Sequence, residues 1–265
     1  MSDASSDPAM DASMDVTGPP PLLEVSGLGQ RYGGRTVLRD VHFRLPAGRS
    51  LGVIGESGAG KSTLARLVMA LERPSHGQVR WSGRDVNAMP ARERRALRPH
   101  LQMVFQDPYG SLDPRWRVGR SIVEPLSALP MTEPQRLARL AEVLEAVGLE
   151  ADAASRFPHQ FSGGQRQRLA IARALSTRPR LIVADEPLSA LDVSVQAQIL
   201  ALLRALQARE GISLVIVSHD LAAVEVLCDD ALVLRGGEVV EQGAVERVLG
   251  EPQHPYTRDL LAALA

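Results

Sequence analysis

The sequence predicts an α/β fold in which a mostly parallel sheet is covered by helices on both faces. Three observations carry this reading. Short runs without a charge, LGVI at 51–54, LIVA at 181–184 and LVIV at 214–217, have the texture of strands buried on both faces. Amphipathic stretches with apolar residues at helical spacing alternate with them along the chain. A length of 265 residues, with 45% hydrophobic and 23% charged side chains, suits one large globular domain or two small ones.

In chain order, residues 1–21 carry Asp3, Asp7, Asp11 and Asp15, no basic residue and no branched-apolar core. They read as a disordered acidic tail, and they lack the positive start and apolar centre of a signal peptide. The run at 51–54 is bounded by glycines and predicts a buried strand. Leu64, Leu67, Val68 and Leu71 then mark one face of a helix, ended by Pro74. Thr132, Glu133, Pro134 and Gln135 form a capping box with Pro in the first turn. The helix they open has Leu137, Leu140, Ala141 and Leu144 on one face and stops at Gly148. Another helix follows Ser162, Gly163 and Gly164 and runs to about Ser176, before Pro179. Between the strands at 181–184 and 214–217, Val195, Ile199, Leu202 and Leu206 predict a further helix closed by Gly211. The stretch 107–178 is helix-rich without such strands and reads as a helical insertion.

Composition excludes some classes of function. A formal net charge of -1 argues against a dedicated nucleic-acid binder. One cysteine, Cys228, rules out an internal disulfide framework and fits a reducing compartment; it reads as a buried thiol on a helix. No stretch approaches the roughly 18 consecutive apolar residues of a membrane-spanning helix. Of 30 basic residues, 29 are Arg, and the single Lys is Lys61. That usage points to a position where the two cations are not interchangeable.

Lys61 lies in GESGAGKS at 55–62, a full match to GxxxxGK(S/T) between a predicted strand and a predicted helix. Glycines there let backbone N–H groups cradle phosphate oxygens, and the helix N-terminus adds partial positive charge. Lys61 would reach the β- and γ-phosphates of a nucleotide, and the Ser62 hydroxyl would ligate Mg²⁺. Asp185 and Glu186 end the strand at 181–184, on the side where open α/β sheets bind ligands. Asp185 is expected to hold Mg²⁺ through water, and Glu186 to orient or deprotonate the attacking water. His219 follows the strand at 214–217 and is expected to contact the γ-phosphate. Phe161, Ser162, Gly163, Gly164 and Gln165 make a second anion-binding helix start, remote in sequence from the first. A simple kinase has no need of a second cradle, whereas a dimer that seals ATP between two chains does.

At these residues the chain resembles the ATP-binding subunit of an ABC transporter, over about residues 22–264. Walker A (GESGAGKS), a Gln loop at Gln106, the signature FSGGQ, Walker B (LIVADE), a D-loop (Ser189, Ala190, Leu191, Asp192) and the switch His219 occur in the family's order. The resemblance implies a P-loop NTPase (RecA-like) core, an ABC helical subdomain and an N-terminal antiparallel β region. It divides the chain into the tail 1–21, a first core part 22–106, the helical subdomain 107–178, a second core part 179–243 and a tail 244–265. It implies ATP as substrate and Mg²⁺ as cofactor. Gly55, Glu56, Ser57, Gly58, Ala59, Gly60, Lys61, Ser62 and Thr63 of one subunit would bind the same ATP as Ser162, Gly163, Gly164, Gln165 and Asp192 of a second. Tyr32 would stack on adenine; Ser62, Gln106 and Asp185 would serve the metal; and Glu186, His219, Lys61 and Gln106 would serve catalysis. Phe161 departs from the family's usual Leu.

The run VFQDPYGSLDPR at 104–115 and HPYT at 254–257 are similar to peptide/nickel-type importers. That branch implies Tyr109, Leu112 and Trp116 as part of a contact with a permease coupling helix. It also implies two separate permease chains, a second ATPase that is a copy or a related chain, and indirectly an extracytoplasmic solute-binding protein. A peripheral place on the cytoplasmic face of the cell membrane follows. Di- or oligopeptide uptake is the expected role, with nickel or another solute as the alternative and no nucleic acid as partner. A lone Cys228 implies no iron–sulfur cluster. A soluble ABC ATPase outside transport is the alternative of another class, opposed by a single cassette without a long coiled-coil insertion.

Overall fold

The computed structural model describes residues 20–107, 110–189 and 191–264. The expected acidic tail lies outside them apart from Pro20 and Pro21, as do Tyr109 and Ala190. The chain begins with strands β1 (Leu23–Tyr32), β2 (Arg35–Leu45) and β3 (Ser50–Ile54), then helix α1 (Lys61–Val68). Strands β4 (His76–Trp81) and β5 (Arg84–Asp85), helix α2 (Ala91–Leu97) and strand β6 (Leu101–Val104) follow. Helices α3 (Val118–Val123), α4 (Glu133–Ala146) and α5 (Gly163–Leu175) follow with no strand between them. Strand β7 (Leu181–Asp185), helix α6 (Val193–Glu210), strand β8 (Ser213–Val217) and helix α7 (Leu221–Leu227) come next. Strands β9 (Asp230–Arg235) and β10 (Glu238–Ala244) precede helices α8 (Val245–Gly250) and α9 (Pro255–Leu264).

Two sheets result. One is antiparallel, in the order β2-β1-β4-β5. Its first hairpin turns at Gly33 and Gly34, whose φ values of 53° and 86° require residues free of a Cβ clash. The other runs β10-β9-β3-β8-β7-β6, parallel except for β10. All residues of β3 and β8 are buried, because side chains alternate between two covered faces. Val53, Val183, Val215 and Leu232 face the antiparallel sheet and α1. Ile54, Ile182, Ile216 and Val233 face the helical layer that includes α5 and α6. Helix α7 lies so close on β3 that a Cβ on Gly52 would stand 2.4 Å from Val224 Cγ1.

Several local expectations need adjustment. Helix α1 ends at Val68; Ala70 turns to φ 50°, and Leu71 is 44% exposed rather than on a buried helix face. Thr132 and Gln135 do form the capping box, but α4 buries Leu140, Val143 and Leu144 while Leu137 and Ala141 are exposed. Helix α6 buries Ile199, Leu203 and Leu206 and closes at Gly211 with φ 64°. Cys228 is buried just past the end of α7, in extended backbone, where burial pushes its thiol far above the ordinary range. Such a thiol is inert.

Candidate functional site

Strands β3, β8, β7 and β6 are consecutive and parallel, so the segments after their C-terminal ends leave the sheet on one side. Those segments carry the glycine loop 55–60, His219, Glu186 and Gln106. Topology alone therefore brings residues far apart in sequence to one edge.

The glycine loop needs its glycines. Gly58 and Gly60 have φ of 82° and 106°. At Gly60, the N-cap of α1, a Cβ would meet Leu38 Cδ2 at 2.7 Å and the Val37 carbonyl oxygen at 3.0 Å. At Gly55 a Cβ would stand 2.2 Å from the Leu234 carbonyl oxygen. The loop closes by an Ala59 N–H bond to the Glu56 carbonyl at 3.2 Å. Lys61 folds back across it and donates from Nζ to the carbonyls of Gly55 and Glu56 at 2.7 and 3.0 Å. The side chain is 6% exposed. Burial pushes its pKa down, opposed by the charges of Glu186 and Asp185.

Across from the loop, Ser62 donates from its hydroxyl to Asp185 Oδ1 at 3.2 Å. Burial raises the Asp185 pKa, with the Ser62 hydrogen bond working against it. Glu186 takes a left-handed backbone, φ 46°, held by its N–H donating to the Val217 carbonyl at 2.8 Å. A non-glycine residue pays about 1–2 kcal/mol for that conformation. The result aims its carboxylate between two partners: Gln106 Nε2 donates at 2.9 Å, and His219 Nδ1 lies 3.3 Å away.

Tyr32, Lys61, Ser62, Thr63, Gln106 and Glu186 line one cleft of about 590 Å³, together with Arg35 and Val37. Tyr32 stands at its mouth, 42% exposed, and donates its hydroxyl to Glu72. Arg66 holds Glu72 through Nε at 2.6 Å and reaches Thr63 Oγ1 at 3.2 Å, so Tyr32 is tied to α1. The Tyr32 bond, then burial in opposition and the Arg66 bond, leave the Glu72 carboxyl below its ordinary pKa. The sequence motifs do not point to Arg35, Val37, Glu72 or Arg66. The hairpin turn after Tyr32 and the two-residue spacing of Arg35 and Val37 were the legible signal for the first pair.

The second anion-binding start does not join this cleft. Ser162 caps α5, accepting from the Gln165 N–H at 3.3 Å while Gln165 Oε1 accepts from the Ser162 N–H at 3.1 Å. Asp192 caps α6 through the Val195 N–H at 3.0 Å and accepts from Ser194 Oγ at 2.7 Å, which helps keep its pKa low. The two helix starts abut: a Cβ on Gly164 would stand 2.4 Å from Val195 Cγ1. Neither Ser162, Gly163, Gly164 and Gln165 nor Asp192 lines the cleft around Lys61. Phe161 is buried beneath the Arg156 guanidinium, 4.3 Å from its ring centroid.

The expected permease contact is altered. Leu112 is 2% exposed and belongs to the core, so it cannot offer its side chain to another protein. Trp116 is half-buried with Arg120 over its ring at 3.9 Å, and Tyr109 lies outside the described residues.

Comparisons with known proteins place the chain in a family. The family model for the ABC transporter matches residues 38–189. The putative peptide import ATP-binding protein of Brucella ovis is 47% identical over 249 residues, 92% of this chain and 78% of that protein. The putative oligopeptide transport ATP-binding protein YkfD of Bacillus subtilis is 47% identical over 254 residues, 92% of this chain and 76% of that protein. The solved structure of cbiO1 from Clostridium perfringens, part of the ABC transporter complex cbiONQ, superposes with a TM-score of 0.80. It is 28% identical and covers 88% of this chain and 92% of that one. A dimeric post-hydrolysis ATP-binding cassette, MJ0796 bound to ADP and Pi, has a TM-score of 0.75 at 28% identity, over 84% of this chain and 98% of that one. The chain belongs to the ABC transporter family, among its ATP-hydrolysing subunits.

Proposed function

We propose that this chain drives the import of small peptides by hydrolysing ATP on behalf of separate permease chains. The observation that carries the hydrolytic part is the Glu186 carboxylate, fixed between Gln106 and His219 beside the glycine loop. Peptide as the solute is supported by the names of the relatives in Brucella ovis and Bacillus subtilis.

Each residue then has a task. The loop N–H groups and Lys61 bind the phosphates, and Tyr32 stacks on the base. Ser62 Oγ and Asp185 Oδ1, 3.2 Å apart, are oxygen donors of the kind Mg²⁺ selects. With Nε2 engaged by Glu186, Gln106 has its amide oxygen left for the same ion. Bound Mg²⁺ would supply charge neutralisation on phosphate oxygens. Glu186 orients or deprotonates a water, and His219, beside Glu186, would steady the terminal phosphate. Because Ser162, Gly163, Gly164, Gln165 and Asp192 lie away from their own cleft, they serve the nucleotide of a partner ATPase. That partner is a copy of this chain or a related one. Closure of the pair around ATP would move the permease, and hydrolysis would reopen it.

No helix among the described residues is long and apolar enough to cross a membrane, so the pore belongs to other chains. A groove of about 310 Å³ beside the Gln106 segment, with Leu71 and Phe105 exposed on it, is the docking place we assign to a permease helix. The chain would sit peripherally on the cytoplasmic face, with a solute-binding protein acting only through the permease. Tagged Glu186→Gln protein, extracted gently from its host with Mg-ATP, is expected to bring two permease chains and an ATPase partner. Recovery of ribosomal or repair proteins instead would overturn the transport reading.

A further inference from the structure

The C-terminal segment reaches the nucleotide loop from below. Tyr256, in the first turn of α9, is 7% exposed, and its hydroxyl accepts from the Glu56 backbone N–H at 3.4 Å. Glu56 is also the residue whose carbonyl receives Lys61 Nζ at 3.0 Å. One peptide-flanked residue is thus gripped on its N–H by the tail and on its C=O by the lysine of the loop. Burial, together with the Glu56 charge, raises the Tyr256 pKa and keeps the phenol neutral.

The ring is fixed as well. Arg235, at the end of β9, lies over it with the guanidinium carbon 4.7 Å from the centroid. Its neighbour Leu234 presents the carbonyl against Gly55. The start of α9 is clamped by Glu241 of β10, whose carboxylate accepts from the N–H groups of Gln253 and His254 at 2.8 and 3.0 Å. Tyr256 therefore has little freedom to move except with the whole tail.

We infer that Tyr256 is a positioning residue for the nucleotide loop, holding Glu56, and through it Lys61, in the geometry that receives phosphate. This rests on reading Gly55, Gly58, Gly60 and Lys61 as the phosphate cradle. It gives the HPYT segment a task beyond packing: the tail tunes how tightly the loop holds nucleotide without touching the reacting atoms.

Tyr256→Phe deletes the hydroxyl and keeps the ring under Arg235. Mg-ATP affinity and the KM–kcat split are measured on the full chain alone and in its complex. The expected result is a dissociation constant and KM raised about three-fold, because the freed loop spends only part of its time in the receptive geometry, with kcat unchanged. Affinity equal to wild type would overturn the inference. So would a fall in kcat and melting temperature at unchanged KM, since that is the signature of packing alone. Failure of the wild-type chain to take Mg-ATP would count against the cradle reading itself, a distinguishable result.

Discussion

Gln106 and Glu186 are 80 positions apart, yet the Gln106 amide donates to the Glu186 carboxylate at 2.9 Å. Adjacent parallel strands β6 and β7 deliver them, with Val104 paired to Ala184 just before both side chains emerge. Gln106→Ala leaves the glycine loop and Lys61 untouched but frees one side of Glu186. Nucleotide binding should persist while turnover falls about 10- to 100-fold, the cost typical of losing an orienting partner. Steady-state ATPase kinetics beside a binding titration check it.

Gly164 tests the separation between the two halves of the proposed shared site. A methyl there collides with Val195 at the abutting starts of α5 and α6. Gly164→Ala should keep nucleotide affinity in the chain's own cleft and lose turnover in the assembled pair. Adding Val195→Ala, which removes the colliding atom, should recover part of it. Loss of affinity in the isolated Gly164→Ala chain would contradict the separation.

Tyr32 tests the base contact. Tyr32→Ala removes the ring and should raise the dissociation constant for ATP about ten-fold or more, in line with roughly 1–3 kcal/mol for stacking a base on an aromatic ring. Tyr32→Phe and Glu72→Gln keep the ring but weaken the tie through Glu72 to Arg66, so each should cost only a few-fold. Titration with a fluorescent ATP analogue ranks the three.

Asp185 predicts a conflict between stability and activity. Its pKa is raised chiefly by burial, even after Lys61 and Arg66 have acted on it. The folded state therefore holds its proton to higher pH than the unfolded chain does. Stability is lost as pH climbs from the ordinary carboxylate range through the raised value. Asp185→Asn should melt higher than wild type near neutral pH without nucleotide, and should lose its response to Mg²⁺. A lower melting temperature in thermal scans across pH would contradict the sign.

How much of this was legible follows from what each segment buries. The uncharged strands at 181–184 and 214–217 were readable because both faces are covered, leaving no polar position to blur the pattern. The glycine loop was readable because its backbone tolerates few residues. Strand β10 was not, since Glu238, Glu241 and Gln242 on an edge strand leave no apolar alternation. Helix α2 buries nothing and shows no stripe. Leu112 looked like a surface contact because an apolar residue in a polar loop does not announce whether it turns inward. Tyr256 under the loop, like Glu72 behind Tyr32, depends on distant strands and has no local signal.

On the proposed reading, Glu186 serves the water while the rest of the cleft binds nucleotide. Phosphate release by Glu186→Gln, measured with Mg-ATP in the complex isolated with its partners, is the decisive measurement. Retained ATP, a trapped closed pair and release slowed at least about 100-fold, the scale of general-base catalysis, are expected. Turnover at the wild-type rate would contradict that reading.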